Sequence, residues 1–252
     1  MTDSLAVLAA DILAYRVACT TINDEFWIAK ARLRQSIQEC LDDVNASEYI
    51  AFLSGDKESN FRYRIYPEYK ANRKDQVRPV HLEPLKEYLV KEWHAVVTEQ
   101  YEADDGIGIA LTKYPDAIVC SIDKDLLQLP GKHWNWVKEE FNEVTEWEGL
   151  QRFYAQILQG DASDNIKGVK GIGALKSRKI VSGCKDEWEL LRTTKDYFGT
   201  EDSLIQTASL IYVLRKEKEH WIHKPLVKKL IQPEIYERWL DLLSGYSQQE
   251  ME

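Results

Sequence analysis

The sequence predicts an α/β protein: a mostly parallel sheet flanked by helices, followed by a helical region. Three observations carry this. Short apolar runs at Leu5–Ala10, Tyr49–Leu53 and Ala117–Cys120 have the continuity of strands buried on both faces, and helical patterns separate them. Each run leads into a carboxylate, at Asp11, Asp56 and Asp123. From about Glu146 onward the patterning is helical. A chain of 252 residues holds one large domain or one domain plus a smaller one. The division is expected at 1–145 and 146–252.

The elements follow in order. Leu5–Ala10 reads as a central strand ending at Asp11, with Tyr15 and Arg16 on the next turn. Asn23 can cap a helix running to about Val44, with Phe26, Ile28, Leu33, Ile37 and Leu41 as its apolar stripe. Tyr49–Leu53 is a second strand, leading into Ser54-Gly55-Asp56. Pro79–Trp93 reads as a helix, and His94–Thr98 as a strand delivering the chain to Glu102. Ala117–Cys120 is a buried strand, and short strands are expected at Trp134–Val137 and Glu140–Val144. Helices are expected at Trp147–Leu158, Glu187–Tyr197, Asp202–Glu219 and Pro233–Leu243.

The composition excludes some classes. The net charge of −9 argues against a uniformly basic nucleic-acid binder. That objection weakens if the acids are gathered around cations, because bound ions invert the local charge. Cys19, Cys40, Cys120 and Cys184 form no CxxC pair, so neither a zinc ribbon nor a disulfide framework is indicated, and reduced thiols in a cytoplasmic protein are expected. His220 and His223 lack a Cys or carboxylate partner at suitable spacing and read as structural. No run approaches the length of a membrane span, and no signal peptide is visible.

The acids carry the chemistry. Glu102, Asp104 and Asp105 crowd the start of one helix, and Asp123 and Asp125 follow the end of a strand. In a parallel sheet, strand ends and helix starts meet at one edge, where ligands bind. Acids are favourable at a helix N-terminus in any protein. Five in one crevice repel one another unless cations sit between them, and hard oxygen ligands suit Mg²⁺ or Mn²⁺. Asp161 and Asp164 lie three residues apart and can enter the same crevice.

Two basic regions offset these acids. Lys57, Arg62, Arg64, Lys70, Arg73, Lys74 and Arg78 alternate with Phe61, Tyr63, Tyr66 and Tyr69. Cations interleaved with aromatics suit phosphate contacts and base stacking, which points to Arg62, Tyr69 and Lys74 as nucleic-acid contacts. Farther on, Gly168-Val169-Lys170-Gly171-Ile172-Gly173 forms a glycine-rich turn between helices. Such a turn can direct backbone N–H groups at a phosphate. Lys167, Lys170, Lys176, Arg178 and Lys179 supply local positive charge.

The chain resembles the flap endonuclease/5′→3′ exonuclease family, most of all its phage members. The resemblance rests on Glu102-Ala103-Asp104-Asp105, on Ser121-Ile122-Asp123-Lys124-Asp125-Leu126-Leu127-Gln128-Leu129, on Gly160–Gly173, and on Pro67–Lys74. It implies a PIN-like 5′-nuclease core, with a short basic arch-like segment at 57–84. It implies metal ligands at Asp11, Asp56, Glu102, Asp104, Asp105, Asp123, Asp125, Asp161 and Asp164. Two Mg²⁺ ions, roughly 4 Å apart, would activate a water and stabilise the leaving oxygen. Lys70 and Arg73 match the cations placed on the scissile phosphate, and Arg16 is a third catalytic candidate. Gly168–Gly173 matches the helix–three-turn–helix element that grips duplex DNA, often with a bound K⁺. Two departures stand out: Ile12 follows Asp11 where many members have Gly, and Leu175 precedes Lys176, which offsets the basic residues. The implied partner is DNA with a 5′ end or flap, or RNA in a hybrid, bound by a monomer. The rival readings are a PIN-type endoribonuclease, which predicts no duplex-binding hairpin, and a catalytically inactive flap-binding protein, which predicts lost acids.

Overall fold

A computed structural model of the chain describes residues 4–74 and 76–245. Two compact units make it up: residues 1–59 with 76–145, and residues 60–75 with 146–252. Most of the basic segment, assigned by the sequence to the first domain, therefore packs within the second unit.

The first unit is built on one sheet. Its strands are β1 (Ser4–Ala9), β2 (Ala46–Ser54), β3 (Val96–Thr98), β4 (Ile118–Cys120), β5 (Gly131–Asn135) and β6 (Glu140–Val144), in the order β3-β2-β1-β4-β5-β6. The first five run parallel, and β6 returns antiparallel beside β5. Val7 of the central strand sits between Ile50 and Val119. Helices α1 (Ala10–Thr20) and α2 (Phe26–Asp43) link β1 to β2. Helix α3 (Phe61–Ile65) belongs to the second unit, while α4 (Leu82–Trp93) and α5 (Ala103–Lys113) precede β3 and β4. Leu13, Leu33, Ile37, Leu85 and Leu89 from α1, α2 and α4 pack with Ala6, Leu8 and Leu53 in one buried cluster. Each such Leu or Ile side chain contributes about 1.5–3 kcal/mol when fully buried. On α5 a Cβ added at Gly106 would stand 2.6 Å from the Phe52 ring, so α5 lies hard against β2. A sheet covered on both faces explains the unbroken apolar runs.

Several boundaries differ from the sequence reading, α4 starting at Leu82 and β3 at Val96 among them. A turn closed by the Asp24 N–H donating to the Thr21 carbonyl at 3.0 Å delays α2, so Glu25 rather than Asn23 takes the cap position. β5 begins at Gly131, earlier than expected, because His133 and Trp134 pair with Val119 and Cys120.

The second unit adds α6 (Glu146–Gln159), the short pair β7 (Gly160–Asp161) and β8 (Ile166–Lys167), α7 (Ala174–Ser182), α8 (Glu187–Tyr197), α9 (Glu201–Ile211), α10 (Pro225–Leu230) and α11 (Pro233–Ser244). Tyr154, Leu190, Leu191, Leu204, Ile205 and Trp221 are fully buried. The rings of Tyr212 and Trp221 flank Phe153 at 5.4 and 6.3 Å. Helix α9 stops at Ile211, well short of the expected Glu219. The buried Arg62 of α3 donates to the Leu210 and Tyr212 carbonyls at 2.9 Å each, which closes the helix end from outside the helix. Among the described residues no helix is long and apolar enough to cross a membrane. All four cysteines are free thiols, and burial pushes Cys40 up to about 12 and Cys120 higher still.

Candidate functional site

The sheet brings seven of the nine predicted acids to one edge. β1, β2, β3 and β4 are parallel neighbours, so their C-terminal ends share that edge. Asp11 is the second residue of α1, directly after β1. Asp56 stands two residues past β2. Glu102 caps α5, just after β3, and Asp104 and Asp105 fill its first turn. Asp123 and Asp125 follow β4. The strand order reverses between β1 and β4, which is where an open α/β sheet forms a binding crevice.

Local backbone geometry holds most of these acids. Asp11 Oδ2 accepts the Ser54 N–H at 2.7 Å. Its buried Oδ1 makes no directed hydrogen bond among the described residues but stands 2.7 Å from Lys86 Nζ as an ion pair. Glu102 and Asp105 form a capping box: Asp105 Oδ2 accepts the Glu102 N–H at 3.0 Å, and the Glu102 side chain accepts the Asp105 N–H. Asp105 is fully buried in that role. Asp123 Oδ1 accepts the Asp125 N–H at 2.8 Å, while Ser121 Oγ accepts the Asp123 N–H at 3.0 Å. Ser54 Oγ accepts the Ala103 N–H at 3.0 Å, tying the start of α5 to β2.

The donor set fits a divalent cation. It consists of carboxylate oxygens, hard donors of the kind that Mg²⁺ and Mn²⁺ take. Among the described residues, no three His, Cys, Asp or Glu side chains are grouped closely enough to ligate an ion. The sheet thus supplies the edge, and the capping bonds keep several carboxylates on their own loops.

Asp161 and Asp164 belong to the second unit. Asp161 Oδ1 accepts the Ser163 N–H and hydroxyl at 2.8 and 2.6 Å. Asp164 gathers cations. Tyr69 donates its hydroxyl to Asp164 Oδ2 at 3.0 Å, Lys70 Nζ lies 3.5 Å from the same oxygen, and Arg73 pairs with Oδ1. Main-chain bonds lace the two loops together. The Lys70 N–H donates to the Asp164 carbonyl at 2.9 Å, and Arg73 Nε donates to the Ser163 carbonyl at 3.1 Å. Asn72 Nδ2 donates to the Ala162 carbonyl, and Asn165 Nδ2 to the Glu68 carbonyl, at 2.9 and 2.8 Å. Lys70 and Asn165 both adopt the left-handed region, at φ 53° and 59°.

This corrects three expectations. Arg62 is 3 % exposed and spends its guanidinium on carbonyls of its own unit, so it is structural and not a DNA contact. Tyr69 is 2 % exposed, with its ring against Tyr63 at 5.1 Å, so it cannot stack on a base. Ile172 is buried, and its N–H donates to the Val169 carbonyl at 3.1 Å, while the Val169 N–H donates to the Leu158 carbonyl at 2.8 Å. Neither of those two amides is left for a phosphate.

Gly168 is packed as well, since a Cβ there would come within 2.2 Å of the Gln159 backbone, whereas the remainder of the turn is open. Lys170, Gly171, Gly173 and Lys176 are exposed, and so is Lys74 in the basic segment. A Cβ at Gly171 or Gly173 would meet nothing within 4 Å, although Gly171 sits at φ 81°. Gly173 caps α7 without a side-chain bond, and the first turn of α7 holds no acid. At its base Gly160 has φ 73°, and a Cβ there would come within 2.2 Å of the Gly168 nitrogen. Arg16 is exposed on α1. It lines a groove of about 320 Å³ with Val17, Thr20, Arg32, Gln35 and Trp136.

Lys86 and the organising role of Asp164 were missed by the sequence reading. Lys86 sits in an ordinary amphipathic helix, and nothing local marks it.

A profile of the 5′-3′ exonuclease N-terminal resolvase-like domain matches residues 14–155, more than half of the chain. The chain belongs to this family. It is 31% identical over 158 residues to the DNA polymerase I of Caldicellulosiruptor bescii, covering 53% of this chain and 18% of the polymerase. It is 29% identical over 211 residues to the 5′-3′ exonuclease of Buchnera aphidicola, covering 73% of this chain and 74% of that protein. The chain thus spans under a fifth of the polymerase. In fold it is similar to the bacteriophage T5 D15 flap endonuclease, described in a complex with DNA and metal ions. The TM-score is 0.68 at 16% identity, covering 96% of this chain and all of the other.

Proposed function

We propose that this chain is a metal-dependent 5′ nuclease that hydrolyses DNA phosphodiester bonds at 5′ ends and 5′ flaps. The observation that carries the reading is the sheet edge, where four adjacent parallel strands each lead into carboxylates. Membership of the 5′-3′ exonuclease family and the names of the relatives support it.

Glu102, Asp104, Asp105, Asp123 and Asp125, with Asp11 and Asp56 beside them, would hold two Mg²⁺, for which Mn²⁺ can substitute. When bound, such ions activate a water and stabilise the leaving oxygen. Lys70 and Arg73 bind the phosphate, Arg73 through its guanidinium fork, and offset the charge that develops on it. Lys74, Lys170 and Lys176 hold the DNA backbone without reading bases. Gly171 and Gly173 let a phosphate approach the main chain at the start of α7, and K⁺ is the ion proposed there. The resemblance gives Asp161 and Asp164 to the second ion; Asp164 also has the role argued below. The substrate is DNA with a 5′ end or flap, with RNA of a hybrid as a second strand type. The chain acts as a monomer in the cytoplasm.

The test is cleavage of a 5′-labelled flap, a blunt duplex and a single-stranded RNA in Mg²⁺. The reading requires cleavage of the DNA substrates from the 5′ side. Cleavage of the RNA alone would favour a PIN-type ribonuclease. Binding of the flap with no cleavage would favour a binding protein.

A further inference from the structure

We infer that Asp164 is a positioning residue for Lys70 and Arg73: it holds both cations where a phosphate is to be received and occupies the phosphate's place until one arrives. The inference rests on the proposal that Lys70 and Arg73 bind the substrate phosphate.

Three donors converge on one carboxylate: the Tyr69 hydroxyl and Lys70 ammonium on Oδ2, and the Arg73 guanidinium on Oδ1. A phosphate offers the same charge sign and the same forked acceptors, so it suits the same donors. The loop that carries the carboxylate has ties besides those three bonds. The Asp164 carbonyl accepts the Lys70 N–H, and the neighbouring Ala162 and Ser163 carbonyls accept Asn72 and Arg73. Loops 68–73 and 162–165 thus form one laced body, and exchanging a carboxylate for a phosphate leaves its main-chain bonds intact. Asp164 and Lys70 keep about a fifth of their side-chain surface exposed and Arg73 more, so a phosphate can reach them. In the free protein one carboxylate already offsets part of the charge of the two cations, which predicts that they contribute less to DNA affinity than free cations would.

The test is binding of a 5′-phosphorylated single strand in EDTA, where metal ions play no part. Asp164→Asn keeps an acceptor for Tyr69 and all the main-chain bonds. It is expected to tighten binding about five- to tenfold at low salt and to steepen the salt dependence by about one in log–log slope. In a Lys70→Met/Arg73→Gln background the same substitution should change nothing. A gain of equal size in both backgrounds would overturn the inference, since it would show a general charge effect. Unchanged or weaker binding in the wild-type background would overturn it as well. If Lys70→Met/Arg73→Gln by itself leaves binding and Mg²⁺-dependent cleavage unchanged, the underlying assignment of the two cations fails instead, and the inference with it. Tyr69→Phe is a second variant that leaves the charges alone, and a smaller gain of the same sign is expected.

Discussion

The acidic sheet edge and the laced loops of the second unit handle charge in opposite ways. At the edge, like charges are collected by topology, and main-chain N–H groups hold several of them: Asp105 in a capping box, Asp123 at the start of a helical turn, Asp11 on Ser54. In the loops, opposite charges meet on a single carboxylate, Asp164, backed by carbonyls. The lesson is that charge density alone does not identify a cation site. An edge whose acids repel one another has something to gain from an added ion. A carboxylate already paired with two cations takes up an added ion only by exchange.

The largest effect should come from the edge. Asp123→Asn with Asp125→Asn is expected to abolish cleavage while leaving DNA affinity unchanged or raised, since it removes charge that repels phosphate. Cleavage near the wild-type rate would show that these acids decorate loops and nothing more.

Lys70→Ala probes the opposite pole. It should lower single-turnover cleavage by about 10²–10³ and reduce duplex affinity far less. Equal losses in both quantities would make Lys70 a binding residue only.

The comparison also shows what could be read from sequence. The buried strands and their terminal acids were legible because apolar runs and strand-end carboxylates are local patterns. The basic segment was not. Its alternation of cations and aromatics looked like a nucleic-acid surface, yet Phe61, Arg62 and Tyr69 are core residues. Their partners lie far along the chain: Phe61 meets His220 edge-on at 4.5 Å, and Arg62 reaches Leu210 and Tyr212. No local pattern distinguishes an Arg that will bond two distant carbonyls from one that will bond a phosphate. The same contact cut short the helix expected to run to Glu219.

Two glycines separate fold from binding within one turn. Gly160→Ala drives a Cβ into backbone and should destabilise the protein by about 3 kcal/mol or more, measured by urea unfolding. Gly173→Val meets open space at an ordinary φ and should leave stability unchanged while weakening duplex binding. If Gly173→Val keeps full duplex preference, the turn is a helix connector.

The smallest effect is set by pH at the start of α9 in the second unit. Hydrogen bonds from Arg238 and Trp239, the latter at 2.7 Å, hold the Asp202 carboxyl below its ordinary value. A depressed carboxyl adds stability that is present above its unfolded-state pKa, near 4, and is lost as pH falls through the folded value. Asp202→Asn should therefore lower the unfolding midpoint slightly at neutral pH and leave it unchanged in strong acid. An equal drop at both pH values would contradict the assignment.

Direct titration of Mn²⁺ into the metal-free chain, followed by calorimetry, tests the central claim without depending on catalysis. The account predicts saturable binding by the wild type and clearly weaker binding by the folded Asp123→Asn/Asp125→Asn variant. Identical isotherms for the two proteins would contradict it, because the sheet edge would then not be where the ions bind.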